Sequence, residues 1–147
     1  MNWDFKTFGE LTINELYDIL RLRSEVFVVE QNCAYQDLDD YDQQAYHLMG
    51  RDANGQLLAY TRIFAPGIKY EESSIGRVVT SPKARGTGAG RQLMEKSLST
   101  LENTFGKIAV KIGAQQYLER FYASLGFVST SEPYLEDGIW HVEMVRK

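Results

Sequence analysis

The sequence predicts one α/β domain, residues 1–147, built on a mixed sheet, and three observations carry that reading. Runs rich in β-formers alternate with runs of helical period in the order β-α-β-β-β-α-β-α-β-β. One unit, Ser74–Leu101, reads as strand, glycine-rich turn and helix without interruption. The chain of 147 residues, 44% hydrophobic and 24% charged, is long enough for a substantial core and too apolar for disorder.

Taken in order, Asn2–Phe8 sets Trp3 and Phe5 against polar neighbours, the alternation of a first strand, and Gly9 ends it. Thr12-Ile13-Asn14-Glu15 matches a capping box, in which the Thr12 and Glu15 side chains satisfy each other's backbone N–H groups at a helix start. That helix carries Leu16, Ile19, Leu20, Arg23 and Phe27 on one face. Arg23, inside the apolar stripe, either snorkels to the surface or faces a cavity beside the helix. From Ser24 to Gly50 there is no Lys or Arg, while Glu25, Glu30, Asp37, Asp39, Asp40 and Asp42 supply negative charge. The run reads as a solvated loop or as an acidic rim for a cationic amine, walled by Tyr35, Tyr41 and Tyr46. The single cysteine, Cys33, has no activating neighbour and reads as a packed residue. One cysteine excludes an internal disulfide framework and a multi-cysteine metal site, and no metal is expected.

Tyr46–Arg51 and Leu57–Phe64 read as strands joined by the turn Asp52-Ala53-Asn54-Gly55. His47, in the first of them, is a satisfied polar residue or a substrate contact. Ile75–Thr80 is a β-branched strand stopped by Ser81-Pro82, and the next helix places Leu93, Met94, Leu98, Leu101 and Phe105 near one face. Lys107–Ile112 is a further strand that Gly113 is expected to break. A helix then carries Leu118, Phe121, Tyr122 and Leu125, with Gly126 as its C-cap. Phe127–Thr130 starts another strand, and Glu136-Asp137-Gly138 turns the chain into the last one, Ile139–Val145.

The chemistry concentrates at Arg85-Gly86-Thr87-Gly88-Ala89-Gly90, immediately before a helix. Glycines there let backbone N–H groups converge, and the helix's unpaired amides and positive dipole end favour an anion such as phosphate. A P-loop would need a lysine after the last glycine, where Arg91-Gln92 stand. A dinucleotide turn would need Gly-x-Gly-x-x-Gly, whereas the glycines run Gly86-x-Gly88-x-Gly90. The net charge of −4 and the sequence pI of about 5.2 argue against nucleic acid as the source of the phosphate. No apolar run approaches membrane-spanning length, so no membrane partner is expected. The start MNWDFKTFGE has neither a basic end nor an apolar core, and a cytoplasmic location is expected.

Arg85, Gly88 and Gly90 fall in the defining places of Arg/Gln-x-x-Gly-x-Gly/Ala, the pyrophosphate loop of the GCN5-related N-acetyltransferases, or GNAT family. Tyr122-Ala-Ser-Leu-Gly126-Phe127 matches the Tyr-x-x-x-Gly-Phe element that follows that loop in the family, and Gln115 stands where these enzymes often carry Asn. The sequence resembles this family over its whole element order. Arg23-Ser-Glu-Val-Phe-Val-Val-Glu-Gln31, the Asp-rich segment with His47, Gly113-Ala114-Gln115 and Glu136-Asp137-Gly138-Ile139-x-His141 are similar to its ElaA-like subgroup. Trp140 departs from it, taking the place of the subgroup's proline before the histidine.

The resemblance implies a central mixed sheet of about seven strands flanked by helices. It implies acetyl-CoA as co-substrate, in a V-shaped gap between Ile75–Thr80 and Lys107–Ile112. Pantetheine would pair with the edge Val78–Val79–Thr80 as an added strand does. The pyrophosphate would rest on Gly86, Thr87, Gly88, Ala89 and Gly90, with Arg85 and Arg91 adding charge and Gln115 and Tyr122 completing the cofactor site. A backbone N–H near Val79 would stabilise the oxyanion. Tyr122, otherwise a core aromatic, would protonate the leaving thiolate. The strand Ile75–Thr80 lacks the glutamate that the family often uses as a base. His141 is the first choice in its place, with His47, Asp137, Glu30 or a water relay as alternatives. Arg23, Phe27, Glu30, Gln31, Tyr35, His47, Asp137 and His141 would form the acceptor site. The implied activity is acetyl transfer from acetyl-CoA to a primary amine of a small molecule or protein, by direct attack in a ternary complex. A non-catalytic acyl-CoA sensor is the alternative. The acceptor and the oligomeric state, a homodimer included, are left open by the sequence.

Overall fold

A computed structural model describes all residues from Met1 to Lys147. The strands are β1 (Asn2–Thr7), β2 (Tyr46–Arg51), β3 (Leu57–Phe64), β4 (Ser73–Thr80), β5 (Val110–Gln115), β6 (Val128–Ser129), β7 (Tyr134–Glu136) and β8 (Ile139–Arg146). The helices are α1 (Ile13–Arg23), α2 (Ala89–Phe105) and α3 (Glu119–Ala123). The eight strands form one sheet in the order β1-β2-β3-β4-β5-β8-β6, with β7 also on β8, one strand more than expected. The addition is the three-residue β7, which the Asp137–Gly138 turn pairs onto β8. Both turn residues have positive φ, 53° and 76°, as a tight hairpin turn requires.

Only β4 and β5 are parallel, and they touch in just two register pairs, Ser73 with Val110 and Ser74 with Lys111. The cause lies in β4. Its register with β3 slips by one residue between Gly76 and Val79, and Arg77 there takes φ 48°. The extra residue is a β-bulge, which bends the strand away from its neighbour and opens a gap beyond Ser74.

Side-chain alternation divides the core between the two faces of the sheet. On one face Leu93, Met94, Leu98 and Leu101 of α2 pack with Leu48, Ile63, Ile75, Tyr122 and Phe127. On the other, Ile19 and Leu22 of α1, with Val26 and Phe27, cover Met49, Tyr60 and Val79. Burying each such side chain contributes roughly 1.5–3 kcal/mol. The capping box forms as expected, with the Glu15 amide donating to Thr12 Oγ1 at 3.1 Å and the Thr12 amide to Glu15 Oε1 at 2.9 Å.

Three boundaries move from their sequence positions. The first helix continues past Arg23 as a π-helical segment, Ser24–Glu30, closed by i→i+5 bonds from the Gln31 and Cys33 amides to the Val26 and Val28 carbonyls. The fifth strand is Val110–Gln115 rather than Lys107–Ile112, because pairing with β8 holds Gly113 in line opposite Glu143. The last helix shrinks to Glu119–Ala123 after a 3₁₀ turn at Gln116–Leu118. Gly126 (φ 95°) follows it in the left-handed conformation expected of a C-cap.

Candidate active site

The gap between β4 and β5 widens into a cavity of about 860 Å³, running from the start of α2 to the β7–β8 hairpin. Of the expected cofactor residues, Val78, Val79, Thr80, Arg85, Gly90, Gln115 and Tyr122 line it. Gly86, Thr87, Gly88, Ala89 and Arg91 continue the same loop and helix start.

The phase of the β3–β4 ladder decides which backbone groups face the gap. The Ser81 amide donates to the Leu58 carbonyl at 2.7 Å, and two residues earlier Val79 stands opposite Tyr60. Backbone groups alternate along an antiparallel strand, so those of Val79 point to β3. Those of Val78 and Thr80 point into the gap as an unpaired edge. The Val79 amide, expected as the oxyanion donor, therefore faces β3 rather than the gap.

At the wide end, Gly88 (φ 81°) is the N-cap of α2, and the Gln92 amide is the first to bond back into the helix, to the Gly88 carbonyl at 3.1 Å. The amides of Ala89, Gly90 and Arg91 are thus left for an anion. Gly86 (φ 78°) and Gly88 need their glycine for conformation. Gly90 does not: its φ is ordinary, and a Cβ there would meet nothing within 4 Å. Nothing within the protein requires a glycine at this helical position, and the space beside it is open to close approach of a bound group. Arg85 is paired in both arms with Glu30, at 2.5 Å each, which raises its pKa and lowers that of Glu30. Arg91 is tied to Glu95 (3.0 Å) and Ser124 (3.0 Å).

Tyr122 is 5% exposed, with its ring edge-on to Phe121 and Phe127 at centroid distances of 5.2 and 5.9 Å. It belongs to the core and also lines the cavity, and its hydroxyl makes no hydrogen bond within the protein. Burial raises the phenol's pKa, so it keeps its proton at neutral pH. His141 lies opposite Gln115 in the β5–β8 register and stacks on Tyr134. Its Nδ1 is 2.8 Å from the Ile139 carbonyl, so Nδ1–H donates there and the lone pair sits on Nε2, 3.8 Å from Glu136.

Of the residues expected to form the acceptor site, Phe27, Glu30, Gln31, Tyr35, Asp137 and His141 line the cavity. The Gln31 and Gln115 side-chain amides face each other across the gap at 3.4 Å. Cys33 Sγ lies 2.9 Å from the Asp137 carbonyl, tying the π-helical region to the hairpin.

Arg23 and His47 do not reach the cavity. His47 is 1% exposed, with Nδ1 2.6 Å from the Tyr60 hydroxyl and Nε2 3.0 Å from the Asp42 carbonyl. Burial lowers its pKa, and neither nitrogen is free to act as a base. Arg23 is fully buried in a closed ring of alternating charges. Its Nη1 meets Asp42 (2.7 Å), Asp42 meets Arg62 (3.0 Å), and Arg62 meets Asp39 (2.8 Å). Asp39 then meets Arg77 (3.4 Å), Arg77 meets Asp37 (2.8 Å), and Asp37 returns to Arg23 (2.8 Å). Burial works against the carboxylates of Asp39 and Asp42, but their hydrogen bonds to these guanidiniums hold both below the usual carboxylate range. Asp37, Asp39 and Asp42 of the acidic segment are therefore neutralised from within, and they fasten the loop to the sheet. Sequence reasoning passed over Arg62, because a cation inside a buried strand carries no pattern that names its partners.

The fold and the site agree with what known proteins resemble. The acetyltransferase (GNAT) domain family matches residues 12–147. Escherichia coli ElaA is 42% identical over 149 aligned residues, covering 100% of this chain and 97% of its own. Its crystal structure superposes with a TM-score of 0.91 over 99% of both chains. The crystal structure of an acyl-CoA N-acyltransferase from Pseudomonas aeruginosa is 45% identical, with a TM-score of 0.94 over 99% of both chains. With its splayed parallel pair, its unpaired β4 edge and its amide-lined helix start, the chain belongs to the GNAT acetyltransferase family, among ElaA-like proteins, and is an acyltransferase.

Proposed function

We propose that this protein transfers an acetyl group from acetyl-CoA to a primary amine, the amine attacking the thioester directly in a ternary complex. The observation that carries the proposal is the continuity of the unpaired β4 edge with the free amides of α2, in a gap that Tyr122 also lines. The thioester supplies the acyl group and a thiolate leaving group. Backbone amides of Ala89, Gly90 and Arg91 hold the pyrophosphate with no side chain to order. The gap-facing backbone of Val78 and Thr80 aligns the pantetheine, and an amide of this edge donates to the carbonyl oxygen as it gains charge. As the C–N bond forms and the C–S bond breaks, His141 Nε2 takes the amine's proton and the Tyr122 hydroxyl gives its proton to the thiolate. A panel of small amines, amino acids and peptides, assayed for free thiol released from acetyl-CoA, tests the proposal. Turnover with at least one amine is expected. CoA binding without turnover across the panel would favour an acyl-CoA sensor instead.

A further inference from the structure

Charge accounting around the cavity separates spent groups from free ones. Of its cations, Arg62 and Arg77 belong to the ion ring and Arg85 to Glu30. Lys69, in the loop between β3 and β4, has no carboxylate partner, and its ammonium rests 4.2 Å from the centroid of Tyr41. Partial burial lowers its pKa, a cost that a bound anion would relieve. Of the anions, Glu30 and Asp39 are spent on arginines. Glu136 and Asp137, in the hairpin, have no Lys or Arg within ion-pair distance; the shortest charge contact of Glu136 is with His141 at 3.8 Å, and its field also reaches Lys69.

Between these walls lies a surplus of hydrogen-bond donors. The hydroxyls of Tyr70 and Tyr134 converge over Gly113, 3.7 and 3.4 Å from where a Cβ would stand, and neither is hydrogen-bonded within the protein. Burial and the nearby Glu136 push the Tyr134 phenol up to about 12, so it remains a donor. Unpaired donors inside a cavity are matched by ligand oxygens, and an ammonium opposite carboxylates is matched by a dipolar ligand.

Resting on the acyl-transfer reading above, the geometry points to an acceptor that carries its own carboxylate: an amino acid, whose carboxylate meets Lys69 and the two phenols while its amine lies toward Glu136 and His141. A polyamine would place a second cation against Lys69 and leave those donors unmatched.

The test compares leucine with 3-methylbutylamine, and lysine with cadaverine, each pair differing by the carboxylate alone. Wild-type kcat/KM is expected to favour the carboxylated member. Lys69→Met is expected to cut that preference about tenfold, Lys69→Arg to retain it and Lys69→Glu to invert it. A preference that ignores all three substitutions, or a wild type that prefers the decarboxylated amines, overturns the inference while leaving acyl transfer intact. If no amine releases thiol, acyl transfer to these amines falls, and calorimetric binding of the same pairs to the CoA-bound protein decides the inference by the same ratios.

Discussion

Replacing Tyr122 by Phe removes one oxygen from the centre of the proposed mechanism and almost nothing else. The ring keeps its edge-on contacts with Phe121 and Phe127, and the lost hydroxyl has no partner in the protein to leave orphaned. Stability should change by less than about 0.5 kcal/mol. Catalysis should not be spared. A positioned general acid contributes roughly 10²–10⁴-fold, or about 2.7–5.5 kcal/mol of barrier. The assay is the initial rate of thiol release at saturating acetyl-CoA, alongside a urea melt of the same preparation. Burial fixes the pH signature as well. Because it raises the phenol's pKa, the proton is present across the working range, and Tyr122 contributes no alkaline fall in kcat below about pH 10. A variant with kcat within twofold of wild type would refute the assignment. An alkaline limb near pH 8–9 that disappears with the hydroxyl would refute the burial argument behind it.

Gly90→Ala separates ligand binding from folding: its φ is ordinary and a Cβ meets nothing, so the variant should gain roughly 0.5–1 kcal/mol in a urea melt. Its affinity for CoA, measured by calorimetry, should nevertheless fall at least about tenfold if the cradle is where the pyrophosphate sits. Arg23→Met opens the ion ring and leaves Asp37 and Asp42 under-compensated at a buried site, which should cost about 3–5 kcal/mol in the same melt. His47 is held neutral, its folded pKa lying below its unfolded one, so its contribution is full above pH 6.5 and is lost as pH falls through the folded value. Melts of His47→Gln and wild type should therefore converge as the pH drops below about 6.5, and parallel pH dependence of the two would show that His47 does not titrate on unfolding.

The parts of this site that were legible in the sequence are those whose chemistry is local. Arg85 to Gly90 states its own geometry, because a positive φ and a helix start are set by neighbouring residues. Tyr122 showed by spacing as part of one apolar helical face, and its place in the site came from the resemblance of Tyr122–Phe127 to the family's element. The ion ring was not legible, since its members lie 14, 23 and 40 positions apart and only the folded sheet brings them together. His47 and His141 look alike in sequence, each a lone histidine in a strand. The choice between them rests on which face of the sheet each meets and on which nitrogen is already engaged. The π-helical segment keeps an apolar stripe near helical period, so periodicity reads it as more of α1. The fifth strand was misplaced because a glycine was taken for a break, when ladder pairing with β8 carries Gly113 through in line opposite Glu143.

The two register pairs between β4 and β5 also divide the sheet mechanically. Strands β1–β4 with α1 form one hydrogen-bonded unit, strands β5–β8 with α3 another, and α2 spans them through packing rather than through the ladder. An extended ligand bonded to the free edge of β4 and lying along β5 supplies the ladder that the chain itself omits. Amide exchange would then slow at Val78 and Thr80 and spread into both units at once, so that occupancy of the gap is registered as cooperativity across the whole sheet.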